Sequence, residues 1–352
     1  MFGRRLFAML CLMLAAPILQ GQSPTNTVLG TGAGANEEMM LVDYNTAIGN
    51  DALYQNLFGN ANTALGAYAL YQTGDANNIS AASLDTAVGA FALYYNSQGS
   101  DNTAVGFNTL SNNFEGNQNT ALGESALYNN WNGNSNVAVG YYAMPSLSGG
   151  TNNVAVGTYA LRNATGGSGN IAIGYGAGSN ISTGAQNILI GNPGTSSDWS
   201  AIRIGSSGVQ NQAFIAGIRG QTTGQGNAIE VFIDSNGQLG TKSSSRKLKT
   251  DINEMGDMTK TLMGLRPVSF RYTSQGPDAP VQYGLIAEEV ADVAPELVAH
   301  KPDGQIETVF YDKVNTMLLD VVQKQQHTIE ELESTLHQVE TRLTALEGSE
   351  QK

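Results

Sequence analysis

The sequence predicts a mainly β protein: a solenoid of short stacked strands, then a small α+β domain that ends in a C-terminal coiled-coil helix. Three observations support this fold class. A 17-residue repeat fills the middle of the chain, the composition changes near Lys242, and a heptad pattern follows Tyr311. Units of that length are too short to bury a hydrophobic face alone, so neighbouring copies must stack on one another.

The first residues have the pattern of an export signal. Arg4 and Arg5 precede an almost wholly apolar run over 6–19, and a polar segment follows it. The apolar run is shorter than the ~20 residues that a membrane span needs. The pattern predicts a signal peptide over 1–21, a linker over 22–43, and a secreted or cell-surface protein whose mature chain has no membrane span. Cys11, the only cysteine, lies inside this predicted signal peptide. The mature chain would therefore have no thiol, which excludes disulfides and thiolate chemistry in it.

The distribution of charge excludes one class of partner and marks a boundary. The formal net charge of -13 opposes binding to the phosphates of nucleic acid. Only four Lys and Arg residues lie between Gln22 and Lys242, whereas 11 of the 17 follow Lys242. We therefore expect two differently built parts that meet near Lys242, and no nucleic-acid partner.

The repeat is built on the pentapeptide Asn-x-Ala-x-Gly, and it predicts a solenoid head over 44–200. Successive copies are 17 residues apart, with one spacing of 23, and they begin at Asn45, Asn62, Asp85, Asn102, Asn119, Asn136, Asn153, Asn170 and Asn187. The second and fourth positions share one strand face, which we predict to be the core. The third position is Ala in eight of the nine copies and points the other way. This Ala column predicts close packing against a neighbouring chain.

These repeats resemble the heads of YadA-like trimeric adhesins over about 44–191. The resemblance implies a left-handed parallel β-roll in each of three tightly packed chains. Such heads bind different targets through variable loops, so a cell-surface glycan or a protein is a possible ligand that the repeat does not identify. Six aromatic residues in or near the turns are candidates for a binding surface, or alternatively pack between coils: Tyr71, Tyr94, Tyr95, Phe114, Trp131 and Tyr142.

A neck is predicted over 201–243, where the repeat loosens. The segment 229–240 alternates in polarity and contains Asn236-Gly237, a dipeptide typical of a β-hairpin turn.

The remainder of the chain carries five ordered motifs. They are KSSSRKLKTDINEM, LMGLRPVSFRY, QYGLIAEEV, APELV and TVFYDKV. This run resembles the intramolecular chaperone domain of phage tail spikes, tail fibres and endosialidases, the self-cleaving serine peptidase family seventy-four. The resemblance implies an α+β domain over 244–312 that helps three chains assemble and then cuts itself off at its own N-terminal serine.

The resemblance also implies the residues of the cleavage reaction. Members carry a serine at the start of the first motif and a lysine five residues later, which Ser244 and Lys249 match, and the cut falls between Ser243 and Ser244. Ser245 stands where many members have Asp. The implied activity is that of a single-turnover serine endopeptidase with a Ser/Lys dyad and no activity in trans. Lysine acts as the base only if its surroundings lower its pKa from about 10.4.

A heptad pattern predicts a parallel coiled coil over 313–352. Val322, Ile329, Leu336 and Leu343 occupy the a positions. The d positions are Leu318, Gln325, Leu332, Val339 and Leu346. The alternative is an amphipathic helix that packs back on its own domain.

The sequence thus predicts an exported homotrimeric surface fibre or adhesin-like protein, whose C-terminal domain assists trimer assembly and releases itself by autoproteolysis. One alternative is an uncleaved adhesin in which that domain is a permanent trimerisation clamp. A weaker alternative is a solenoid hydrolase, but Asp and Glu are scattered singly along the repeat. No cofactor and no metal are expected, because all three histidines (His300, His327 and His337) lie outside the repeat.

Overall fold

The structure is a computed structural model that describes residues 25–35, 44–74, 82–219, 221, 223–301 and 303–350. The predicted signal peptide over 1–21, including Cys11, lies outside these residues. The chain forms two compact units, Met1–Ala216 and Gly217–Lys352.

The first unit is a β-solenoid in which every coil contributes a strand to a parallel sheet. The copies of the pentapeptide pair in register, so that Ala121 lies between Ala104 and Ala138 of the adjacent coils. The 11 strands of this sheet are β1 (Thr27–Leu29), β2 (Thr46–Ile48), β4 (Thr63–Leu65), β6 (Thr86–Val88), β8 (Thr103–Val105), β10 (Thr120–Leu122), β12 (Val137–Val139), β13 (Val154–Val156), β14 (Ile171–Ile173), β15 (Ile188–Ile190) and β16 (Ile202–Ile204).

A second parallel sheet lines another side of the first coils. Its five strands, from one edge to the other, are β3 (Gln55–Asn56), β5 (Gln72–Thr73), β7 (Tyr95–Asn96), β9 (Asn112–Asn113) and β11 (Asn129–Asn130). Fold class is therefore as the repeat predicts.

The large sheet extends beyond the predicted head at both ends. Strand β1 lies in the segment expected to be a linker, and β16 in the segment expected to be the neck. Residues 26–30 are a copy of the pentapeptide with Val28 in place of Ala, and the copy at 201–205 begins with Ala and follows its predecessor by 14 residues. Because of these departures from the motif, the strict 17-residue repeat does not predict either coil.

The predicted facing of the repeat is wrong, because the Ala column lies inside its own chain. Ala47, Ala64 and their equivalents are completely buried and pack with a column of leucines that includes Leu53 and Leu70. The second and fourth positions face outward instead, and Leu122 and Ile173 are 46% and 42% exposed. Where a leucine fills the coil, only a methyl group fits beside it, and the branched residues of the second and fourth positions project from the outer face of the sheet. The larger inward residue Val28 lies in a coil where Gly34 replaces that leucine, and Leu189 lies next to Gly178, which replaces it in the preceding coil.

The solenoid core ends in an ion pair. In β16 the inward third position is Arg203, whose Nε and Nη2 donate to Oδ2 and Oδ1 of Asp198 at 2.6 Å each. These hydrogen bonds lower the pKa of the Asp198 carboxyl to about 2. Because Arg203 replaces the apolar residue of the interior column, no further coil can extend that column as an apolar core. The pair thus acts as a cap, which stacked repeats require at their ends.

The second unit contains the expected hairpin and a small α+β core. Its strands and helices are β17 (Phe232–Ile233), β18 (Leu239–Gly240), β19 (Val268–Phe270), β20 (Gln282–Gly284), α1 (Ala287–Val293), β21 (Val298–His300), β22 (Ile306–Val309) and α2 (Tyr311–Glu350), with a 3-10 helix at Gly256–Gly264. Strands β17 and β18 pair antiparallel around the Asn236-Gly237 turn. Leu262, Val290, Leu297, Val309 and Met317 form the centre of the core.

Helix α2 uses two different faces. Val314 and Met317 are buried against the α+β core, and Val321 packs at its edge. The residues at the predicted a and d positions lie on another face and are exposed in the single chain, from Leu318 and Val322 to Leu343 and Leu346. Only the start of the helix therefore packs back on its own domain. The rest leaves an apolar seam without a partner in one chain.

Within the described parts of the chain, no helix combines the length and the apolar character that crossing a membrane requires.

Candidate functional site

The predicted cleavage site lies just before a short turn of 3-10 helix. This turn, Arg246–Leu248, begins at Ser245, whose Oγ accepts a hydrogen bond from the Lys247 N–H at 3.4 Å. The N–H of Ser245 in turn donates to Ser243 Oγ at 3.2 Å. Asp and Ser are both good N-cap residues, so Ser245 can perform the capping role that an Asp would perform at this position. The peptide bond between Ser243 and Ser244, where cleavage is predicted, thus comes directly before a capped turn.

Ser244 and Lys249 are both exposed, and the structure does not bring them into contact. Lys249 ends the turn in extended conformation, and its N–H bonds the carbonyl of Arg246 at 3.2 Å. Within the described residues of one chain, neither the Ser244 hydroxyl nor the Lys249 ammonium makes a hydrogen bond. Among the described residues of one chain, none holds the Lys249 side chain against Ser244.

A lysine on the upstream side of the bond is fixed to the C-terminal domain. Lys242 Nζ donates to Asp312 Oδ2 at 3.0 Å, and it lies 4.3 Å from the ring centre of Phe232 and 5.7 Å from that of Phe310. The hydrogen bond from Lys242 lowers the pKa of the Asp312 carboxyl. The sequence does not predict this contact, because Asp312 is 70 residues away and no local pattern connects the two residues. The chain is thus held by Lys242 just upstream of the predicted cut, whereas the turn just downstream makes only local hydrogen bonds.

The same domain anchors the first turns of α2. Asp320 Oδ2 accepts from Thr259 Oγ1 at 2.9 Å and from Lys324 Nζ at 2.6 Å, and Lys324 also bonds the carbonyl of Gly256. These bonds lower the pKa of Asp320, with Lys324 as the larger cause. The Tyr311 hydroxyl accepts from the Leu285 N–H at 2.9 Å. These contacts fix the direction in which the exposed seam leaves the domain.

The candidate aromatic residues of the head pack mainly on each other between coils. Tyr71 stacks between Tyr54 and Tyr94 with ring centres 5.2 and 5.0 Å apart. Trp131 stacks on Phe114 at 4.9 Å, Tyr95 meets Tyr94 edge-on at 4.5 Å, and Tyr142 contacts Tyr141 at 4.6 Å. Tyr95, Trp131 and Tyr142 remain exposed. Contacts between rings thus account for part of the buried surface of these aromatic residues.

The described residues contain no group of three His, Cys, Asp or Glu side chains placed to hold a metal ion.

Comparison with known proteins identifies the C-terminal domain. A family model described as chaperone of endosialidase matches residues 244–299, and the match begins at Ser244. It covers about a sixth of the chain, and no curated protein and no solved structure matches. The β-solenoid and this domain together fit a protein of the tail-spike or endosialidase type that carries a chaperone domain. Such a domain supports a role in trimer assembly.

Proposed function

We propose that this chain is an exported homotrimeric β-solenoid fibre and that its C-terminal domain first assembles the trimer and then releases itself by cleavage between Ser243 and Ser244. The observation that carries the proposal is the match to a chaperone of endosialidase at 244–299, directly downstream of a solenoid and its neck.

The outer face of the large sheet supports three-chain assembly. From β12 onward both outward positions are aliphatic, as in Val154 with Val156 and Ile171 with Ile173. Val156 and Ile173 are 37% and 42% exposed in one chain. A continuous apolar face of this kind is costly in water and marks an interaction surface. Copies of the same chain are the partners we assign to it, because the match to a chaperone of endosialidase supports a trimeric assembly.

The exposed seam of α2 supports the same conclusion at the other end of the protein. Its a and d residues repeat every 3.5 residues on average, the spacing at which parallel helices pack side by side. Gln325, a polar d residue, would fix the register of three helices. Helices that associate early raise the local concentration of the three heads before their strands stack.

Cleavage fits the exposed position of Ser244, since neighbouring chains of a trimer could supply the burial that Lys249 lacks in one chain. The reaction would begin with attack of Ser244 Oγ on the carbonyl carbon of Ser243 while Lys249 takes the hydroxyl proton. That proton then passes to the Ser244 nitrogen as the peptide C–N bond breaks. Water hydrolyses the resulting ester and leaves a free carboxyl on Ser243. The chain would perform this reaction once.

Expression of a chain that lacks the C-terminal domain tests the role of this domain in assembly. We expect a chain that ends at Lys242 to aggregate, because exposed strand edges and apolar sheet faces must then find their partners without an early contact. The control is the full chain with Ser244→Ala, which keeps the domain attached. The readout is the soluble trimer fraction by size-exclusion chromatography with light scattering. A truncated chain that gives soluble trimer in the same yield as the control contradicts the chaperone role.

A further inference from the structure

A ladder of buried asparagines runs along the solenoid and ties each coil to the next. The first residue of each pentapeptide makes two kinds of hydrogen bond. In Asn119, the backbone N–H donates to Asn102 Oδ1 at 3.0 Å, and Nδ2 donates to the carbonyl of Gly133 at 2.9 Å. The oxygen of the side chain therefore accepts from the next coil. The nitrogen donates to a carbonyl further along the chain, 14 residues away in most coils, 20 for Asn62 and 11 for Asn187. Nine members of the ladder are Asn: Asn26, Asn45, Asn62, Asn102, Asn119, Asn136, Asn153, Asn170 and Asn187.

Asp85 is the one acidic member of this ladder among the described coils. Its side chain is completely buried. Its N–H donates to Asn62 Oδ1 at 2.9 Å, and its Oδ1 accepts from the Asn102 N–H at 2.8 Å. This half of the ladder is preserved, because a carboxyl oxygen accepts as well as an amide oxygen does.

The other half of the ladder changes at Asp85. Where asparagine has an Nδ2 donor, Asp85 has Oδ2, which accepts from Asn96 Nδ2 at 2.7 Å. The carbonyl 14 residues further along is that of Gly99, and the same Asn96 Nδ2 also donates to it at 3.0 Å. A protonated Oδ2 can supply the missing donor, whereas an ionised one adds a buried negative charge beside a carbonyl oxygen.

No cation offsets that charge in the surrounding coils. The sequence has no Lys, Arg or His between residues 22 and 161, so the described coils around Asp85 carry only acidic charges. The charged group that acts on Asp85 is Asp101, which disfavours ionisation. Burial is the largest cause, and it raises the pKa of Asp85 to about 7, against the hydrogen bonds from Asn102 and Asn96.

We propose that Asp85 is a proton-controlled lock in the solenoid. When its carboxyl is protonated it completes the ladder, and when it ionises the coil between Asn62 and Asn102 loosens. The effect falls on one coil, because every other described member of the ladder is an amide that does not titrate. The proposal is independent of the function assigned above, since it rests on the interior of one chain.

The raised pKa of Asp85 determines how the stability of this coil changes with pH. A carboxyl with a pKa near 3.8 in the unfolded chain and about 7 in the fold stabilises the fold fully below pH 3.8. This contribution decreases as the pH rises and is lost above pH 7. Between pH 5 and pH 8.5 the opening equilibrium should shift toward the open coil by roughly a hundredfold.

Hydrogen exchange of the full chain tests the lock. The readout is the protection of amides in the coil that follows Asp85, such as Asn102 and Thr103, divided by that of Asn170 and Ile171 in a distant coil of the same molecule. This ratio removes the general effect of pH on exchange. We expect this ratio to decrease by roughly a hundredfold between pH 5 and pH 8.5. In Asp85→Asn, which restores the amide, the ratio should stay constant. Asp101→Asn, at the exposed neighbour, should keep most of the fall.

A constant ratio in the unmodified protein overturns the proposal, as does an equal fall in Asp85→Asn. Infrared difference spectra between the two proteins give a second measurement, which does not depend on opening of the coil. The band of a protonated carboxyl at pH 6 should disappear in Asp85→Asn, and its absence from the unmodified protein would contradict the lock.

Discussion

Protein carrying Ser244→Ala is expected to remain a single intact chain, whereas the unmodified protein yields a C-terminal fragment that spans residues 244–352. The substitution removes the hydroxyl that would attack the Ser243 carbonyl and leaves the capped turn in place, since the cap is made by Ser245. Lys249→Ala should also abolish the fragment, because it removes the base. Denaturing gel electrophoresis with N-terminal sequencing of the fragment gives the readout.

The matched control is Ser243→Ala. It keeps the carbonyl under attack and removes only the Oγ that accepts from the Ser245 N–H, so the fragment should still form. A fragment that persists in Ser244→Ala means that another protease makes the cut. An intact chain in the unmodified trimer favours the uncleaved adhesin, with the C-terminal domain as a permanent clamp.

Ala121→Leu is expected to prevent the solenoid from forming within each chain. Ala121 is completely buried between Ala104 and Ala138, and Leu127 of the same coil fills the space that three added carbons would need. Overpacking of this kind typically costs 1–3 kcal/mol at one site, and here it also pushes apart the adjacent coils. The loss of β signal in circular dichroism and of soluble protein provides the measurement.

Two variants separate this effect from a defect in assembly. Thr120→Val, next to Ala121 but on the outer face, should be tolerated, because the equivalent positions in later coils are Val137 and Val154. Ile173→Asp places a charge on the outer face, so it should keep the β signal of each chain and dissociate the trimer. Solenoids that fold normally in Ala121→Leu but fail to associate would support the original prediction that the Ala column forms the contact between chains.

The repeat predicts the solenoid and its register but not which face is inside. The 17-residue spacing fixes which residues lie side by side in neighbouring coils, as the pairing of Ala104, Ala121 and Ala138 confirms. Alternation along a strand states only that the second and fourth positions share a face. Branched aliphatic residues are typical of both a core and an interface, so their presence does not show which face of the strand is buried. The size of the side chains on each face decides that question. Where a leucine such as Leu127 fills the coil, the inward position of the strand accepts alanine.

The sequence likewise predicts some features of the candidate site and not others. The motif order predicts where the domain begins, and the family match begins at the same residue, Ser244. The sequence could not predict the contacts of Lys242 with Asp312 and Phe232, because they depend on the tertiary fold of the domain. The spacing of Ser244 and Lys249 gives their order along the chain, but within the described residues of one chain both side chains are exposed and do not meet.

The central claim is that three copies of the chain assemble through the sheet face and the helical seam. Sedimentation equilibrium of the intact Ser244→Ala protein at micromolar concentration tests it most directly, because the C-terminal domain stays attached and every chain has the same mass. The account predicts a single species with the mass of three chains, unchanged on tenfold dilution. A stable species with the mass of one chain would contradict it.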